Sequence, residues 1–123
     1  MSIKPLNAQT LTSLLARLDN AKHGEIRSIT PLSPTSIEIR FSVQDIARGY
    51  DWIDIAFRVE GVSDAKLASD NVLASLDMSD GITVEITSNT CALGIGQYNG
   101  RVDESPLYIL GASMGYEELP FSA

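Results

Sequence analysis

Two stretches of strict apolar–polar alternation constrain this chain more than any other feature. Ile37, Ile39, Phe41 and Val43 interleave with Glu38, Arg40, Ser42 and Gln44. Ile53, Ile55, Phe57 and Val59 interleave in the same way with Trp52, Asp54, Ala56, Arg58 and Glu60. Successive side chains of a strand point to opposite faces, so this period predicts extended chain with one buried face. One apolar and one wetter face is the habit of antiparallel sheets. A third run, Ile82, Val84 and Ile86 with Thr83 and Glu85, follows Asp77-Met-Ser-Asp-Gly81, which reads as a tight turn.

One segment breaks the pattern. Leu11, Leu14, Leu15 and Leu18 follow the spacing of a single helical stripe, with Asn7 placed to cap it after Pro5. The spacing predicts a helix over about residues 8–20, with Arg17 and Asp19 on its wet side and a stop at residues 20–24. Such a helix is marginal alone and must lie against something else. Residues 25–30 read as a strand closed by a Pro31–Pro34 turn segment, and residues 66–68 as a short strand. Residues 70–76 read as one helical turn, and residues 91–98 and 107–114 as further strands. Gly94 and Gly96 suggest a bulge, and Asn99-Gly100 a turn. In the tail, residues 115–123, Tyr116, Leu119 and Phe121 are expected to pack, leaving Glu117 and Glu118 outside.

Too few helices are available for parallel crossovers, so short-looped strands predict a β-dominated α+β fold. The expected architecture is a curled antiparallel sheet of about six or seven strands with one N-terminal helix, a meander that is sandwich- or half-barrel-like. A length of 123 residues suits one domain, 1–123, with the β-rich part at 25–114.

Charge and cysteine content exclude several chemistries. The net charge is −7, and the acid is concentrated: residues 51–123 carry three basic and twelve acidic side chains. Nucleic-acid binding relies on basic groups that neutralise phosphates, so that class is set aside. Cys91 is the only cysteine, which excludes an intrachain disulfide or a cysteine-built metal centre. The start shows no apolar leader and no run of about 20 apolar residues occurs, so the expected location is the cytoplasm, with no membrane contact.

The apparent motifs fail on context. Gly94-Ile-Gly96-Gln-Tyr-Asn-Gly100 lacks the spacing and the following helix of a dinucleotide loop. Aligning Gly81 with a calcium loop puts Leu76 and Met78 where oxygen ligands belong. His23 and Cys91 could form a thiolate–imidazole pair only with an orienting partner, and none is apparent. No catalytic residue, cofactor or metal site is therefore expected.

What remains is a face. Glu38, Arg40, Asp54, Arg58, Glu60 and Glu85 fall on the polar parity of their strands, the pattern of cross-strand charge pairs. Tyr50 and Trp52 share the parity of Asp54 and Arg58. If this face is open, aromatics flanked by charge have the composition of an interaction hot spot; if it is covered, Trp52 is core. Tyr50, Trp52, Asp54, Arg58 and Glu60 are thus the candidate partner-binding residues.

At His23-Gly-Glu-Ile26, Phe57-Arg-Val-Glu-Gly-Val62 and Asp80-Gly-Ile82, residues 20–90 resemble small bacterial immunity-type proteins of polymorphic toxin systems and their uncharacterised relatives. Gly24 stands where that pattern carries an aspartate. The resemblance implies a cytoplasmic, non-enzymatic protein that covers the active surface of a toxin, and a basic toxin domain would suit the acidic charge. Two alternatives stand beside it. One is a small-molecule binder with a cavity lined by Phe41, Phe57 and Tyr108. The other is a homo-oligomer that self-associates through an exposed strand.

Overall fold

The computed structural model of the chain describes residues 3–73 and 75–121, apart from the side chains of Asp70 and Asn71. The leucine stripe forms helix α1, Ala8–Arg17, which buries Leu11 and Leu14. Asn7 Oδ1 accepts from the Thr10 N–H at 2.9 Å, and Thr10 Oγ1 accepts from the Asn7 N–H at 2.9 Å. This reciprocal cap satisfies two N–H groups that the helix cannot pair internally.

The helix ends earlier than its stripe. Asp19, Asn20 and Ala21 adopt φ values of 50°, 57° and 59°, and His23 62°. Left-handed backbone costs L-residues roughly 1–2 kcal/mol each, and asparagine tolerates it best because it can bond locally. Asn20 supplies such a bond across the chain, donating from Nδ2 to the Ile82 carbonyl at 2.8 Å, while the His23 N–H donates to the Met78 carbonyl at 2.8 Å. Asn20→Ala therefore loses both a bond and a conformational preference. It should cost about 2 kcal/mol in urea unfolding. A cost below about 0.5 kcal/mol would show that this turn is held by other contacts.

Among the described residues nine strands follow in chain order: β1, Lys4–Pro5; β2, Glu25–Ser33; β3, Ser36–Asp45; β4, Asp51–Glu60; β5, Asp64–Lys66; β6, Ile82–Ile86; β7, Cys91–Ile95; β8, Tyr108–Gly111; β9, Ser113–Pro120. A single helical turn, α2 at Asp70–Leu73, joins β5 to β6. The fold is a β-dominated α+β fold. All pairings are antiparallel, and the strands form two sheets, ordered β1-β9-β4-β3-β2 and β5-β8-β7-β6, that do not close into a barrel.

The division into two sheets has a local origin. The run at residues 107–114 is not one strand: it breaks at Ala112, so β8 lies in one sheet and β9 in the other. β4 and β5 make the same passage across residues 61–63. The two passages run side by side, with the Ala112 N–H donating to the Glu60 carbonyl at 2.9 Å. Strands that switch sheets at a bend form the corner of such a packing. The tail beyond it is a strand, β9, hydrogen-bonded between β1 and β4, with Tyr116 opposite Phe57 and Leu119 opposite Asp54. Ser122 and Ala123 lie outside the described residues.

The inner faces meet in a core where Ile39, Phe41, Ile55, Phe57 and Val59 have no exposed surface. The Phe41 and Phe57 rings pack edge to face, 6.0 Å apart. The cavity expected between Phe41, Phe57 and Tyr108 does not form. The phenylalanines are close-packed on each other, whereas the Tyr108 hydroxyl donates to Asp64 at 3.0 Å on the exposed side of its sheet.

Candidate functional site

The charged parity of β3 and β4 builds the outer face of the five-stranded sheet. Register places Arg58 between Glu38 and Gly115, Ala56 between Arg40 and Glu117, and Asp54 between Ser42 and Leu119; Trp52 pairs with Gln44. Glu60, Gln44 and Trp52 are exposed, and Glu38, Arg40 and Arg58 are half-buried. Trp52 is 40% exposed and so is not core, whereas Ser42, Asp54 and Ala56 in the middle of the face are buried.

Asp54 departs from the expectation of an accessible acidic face, because it has no exposed surface at all. Arg40 lies over it, with Nε and Nη2 reaching Oδ2 at 3.0 and 2.9 Å, and Ser42 Oγ donates to Oδ1 at 2.5 Å. A long arginine stem across a shorter neighbour shields the ion pair from water. Asp54 is therefore a buried anchor beneath the face. Arg58 is likewise engaged, donating from Nη2 to Glu38 at 3.0 Å. Glu60 and Glu117 have no ion-pair partner among the described residues, so the unpaired charge of this face is negative.

At one end the face turns aromatic. Trp52 and Phe121 stack at a tilt with centroids 5.9 Å apart, and both are substantially exposed, at 40% and 42%. Tyr50, one step before β4, is 57% exposed and held at φ 67°. The loop carrying it is tied down from below by Asp45. The Asp45 carboxylate accepts from the Ala47 N–H at 3.0 Å, and its carbonyl accepts from the Tyr50 N–H at 2.9 Å. Arg17 of α1 reaches Asp45 at 3.1 Å and also bonds Glu118, while Arg48 approaches Asp45 at 3.4 Å. Burial opposes the charge on Arg17, and the two carboxylates outweigh it, pushing its pKa up.

Of the sequence-derived candidates, Tyr50, Trp52 and Glu60 are exposed, Arg58 is half-buried and Asp54 is buried. Phe121, expected to pack with the tail, is instead 42% exposed beside Trp52, and Asp45 is the residue that sequence reasoning missed. A carboxylate at position 45 falls on the apolar parity of Val43, which was the available signal that it needed a cation partner. Arg17 was expected on the wet side of the helix and is instead that cation.

The other candidates are dispersed. His23 is exposed in its turn, and Cys91 is buried in β7, where burial pushes its thiol pKa up and weakens it as a nucleophile. Asp77 accepts from the Ser79 N–H at 2.9 Å, and the Ser79 bonds hold its carboxyl below the usual range. Among the described residues, no three His, Cys, Asp or Glu side chains are grouped to hold a metal ion, and no helix is long and apolar enough to cross a membrane. Open grooves of about 330 and 390 Å³ flank α1, lined chiefly by Leu6, Ile86 and Ala112 in one and Leu14, Arg17 and Tyr116 in the other. The edge strand β2 is interrupted by a bulge between Ile26 and Ser28, and Pro31 brings no N–H to pair. Both features discourage a further strand from adding there. Comparison with protein-family models, curated proteins and solved structures finds no match.

Proposed function

We propose that this chain is a protein-binding module and, most concretely, an immunity-type protein that neutralises a toxin domain in the cytoplasm by covering its working surface. The observation that supports this reading is the exposed Trp52–Phe121 pair at the end of the outer sheet face, with exposed Tyr50 two residues before Trp52 in the chain. Tryptophan and tyrosine dominate binding hot spots, and grouped exposure of large rings is otherwise a solubility liability. Glu60 and Glu117 leave the face negative, which would steer a basic partner towards it. The resemblance of residues 20–90 to immunity-type proteins supplies the class of partner.

The test is affinity capture from the source lysate at low salt, with tagged wild-type and Trp52→Ser proteins side by side. The expected result is one stoichiometric, basic partner on the wild type, depleted at least about tenfold on the variant. Absence of any Trp52-dependent partner would overturn the reading. With the partner in hand, Glu60→Lys should slow association about threefold or more and leave dissociation nearly unchanged. Asp54 does not suit that experiment, because reversing its charge would break the buried pair with Arg40.

A further inference from the structure

We infer that Asn99 is a site of spontaneous deamidation, and that Glu85 sets its rate by holding the Gly100 N–H. In this reaction the amide nitrogen after an asparagine attacks the side-chain Cγ. The new N–Cγ bond closes a succinimide, the Cγ–Nδ2 bond breaks, and the proton of the attacking N–H leaves with Nδ2 as ammonia. Water, the only co-reactant, then opens one of the two ring carbonyls to give aspartate or isoaspartate.

The residue after each asparagine ranks the candidates, because a side chain there crowds the attacking nitrogen. Asn7 and Asn20 precede alanine, Asn71 valine and Asn89 threonine, whereas Asn99 precedes glycine. Asn7 is also held by the Thr10 N–H, and Asn20 by the Ile82 carbonyl. Asn99 is exposed, and its carboxamide makes no hydrogen bond among the described residues. A Cβ placed on Gly100 would meet nothing within 4 Å, so packing does not hold this turn.

Hydrogen bonds hold it instead. The Arg101 N–H donates to the Tyr98 carbonyl at 2.9 Å, closing a turn in which Gly100 has φ 74°. The Gly100 N–H, the group that must react, donates to Glu85 Oε2 of β6 at 2.8 Å. A succinimide nitrogen carries no hydrogen, so that bond is lost on the way to it. Negative charge also gathers on the attacking nitrogen, next to a carboxylate that repels it. A carboxylate is a far weaker base than an amide anion, so it restrains this proton and does not remove it. Once formed, isoaspartate inserts a methylene into the main chain of a loop whose Tyr98 N–H is bonded to Thr83 Oγ1 at 2.9 Å. The modification therefore lengthens the loop tied to β6 and adds a negative charge to it.

The experiment is incubation of the full chain at neutral pH, folded and in urea, with peptide mapping of aspartate and isoaspartate at every asparagine. In the folded wild type, product should accumulate at Asn99 before any other asparagine, and at least about fivefold more slowly than in urea. Glu85→Ala should speed the folded reaction about fivefold and leave the rate in urea unchanged. Glu85→Gln keeps an acceptor oxygen without the charge, so its rate should fall between the two. Equal rates in folded and unfolded wild type would overturn the inference, and that comparison needs no variant to fold. Earlier modification at another asparagine would also overturn it. So would a Glu85→Ala rate no higher than that of the wild type in a chain whose circular dichroism is unchanged; a lower rate would make Glu85 a promoter of the reaction and not its restraint.

Discussion

Replacing Arg40 by alanine will destabilise the fold by about 3 kcal/mol, although the residue lies on the wet side of its sheet. The reason is the group it covers. Asp54 has no exposed surface, its Oδ2 takes both Nε and Nη2 of Arg40, and its Oδ1 takes Ser42. Removing the arginine takes two charge-assisted hydrogen bonds from a carboxylate in a sheltered place, and breaking a buried pair costs about 3–5 kcal/mol. Arg40 is itself about one-third exposed, with a side-chain accessibility of 32%, so water enters once it is gone. The effect should lie at the low end of that range. Asp54→Leu in the Arg40→Leu background should recover most of the loss, since apolar replacement of both partners removes the buried charge. A double-mutant cycle in urea measures the coupling, expected at about 2 kcal/mol; additive single effects would show that the pair does not act as a unit.

The same pair shows what was legible in the sequence. Alternation placed Ile39, Phe41, Ile55 and Phe57 inside, and all four have no exposed surface. Parity assigned Asp54 to the outer face, where register does place it, opposite Ser42 and Leu119. Parity gives direction and not depth. Only the pairing of β3 with β4 brings Arg40, two pairs removed along the ladder from Ser42 and Asp54's own row, across the carboxylate. Trp52 was legible as a member of the outer face, and its exposure was not, because exposure depends on which element covers the sheet. Phe121 was expected to pack and is exposed, for a related reason. Nothing local marks residues 113–120 as a strand between β1 and β4, since Gly115, Glu117 and Glu118 favour strands weakly. Its place is set by the vacant side of β4.

That placement depends on the corner, and the second large effect is expected there. Gly111→Ala should cost about 3 kcal/mol, at the upper end of what overpacking a core usually does. A methyl group at Gly111 would lie 2.6 Å from Val59 Cγ1 and 2.9 Å from the Glu60 carbonyl oxygen. Val59 is fully buried, and the Glu60 oxygen accepts the Ala112 N–H that joins the two passages. Neither neighbour can retreat without loosening the junction between sheets. Gly61→Ala should act on the same spot, because Gly61 has φ 63° and its added methyl would meet the Ala112 Cβ at 2.8 Å. The two substitutions strain one junction, so their combined cost should fall short of the sum of the single costs. Thermal unfolding can separate the contributing contacts. In a Val59→Ala background the cost of Gly111→Ala should fall by about 1 kcal/mol and not vanish, because the carbonyl contact persists. If it vanishes, the side chain alone sets the spacing, and the crossing backbones have room that the hydrogen bond from Ala112 to Glu60 argues they lack.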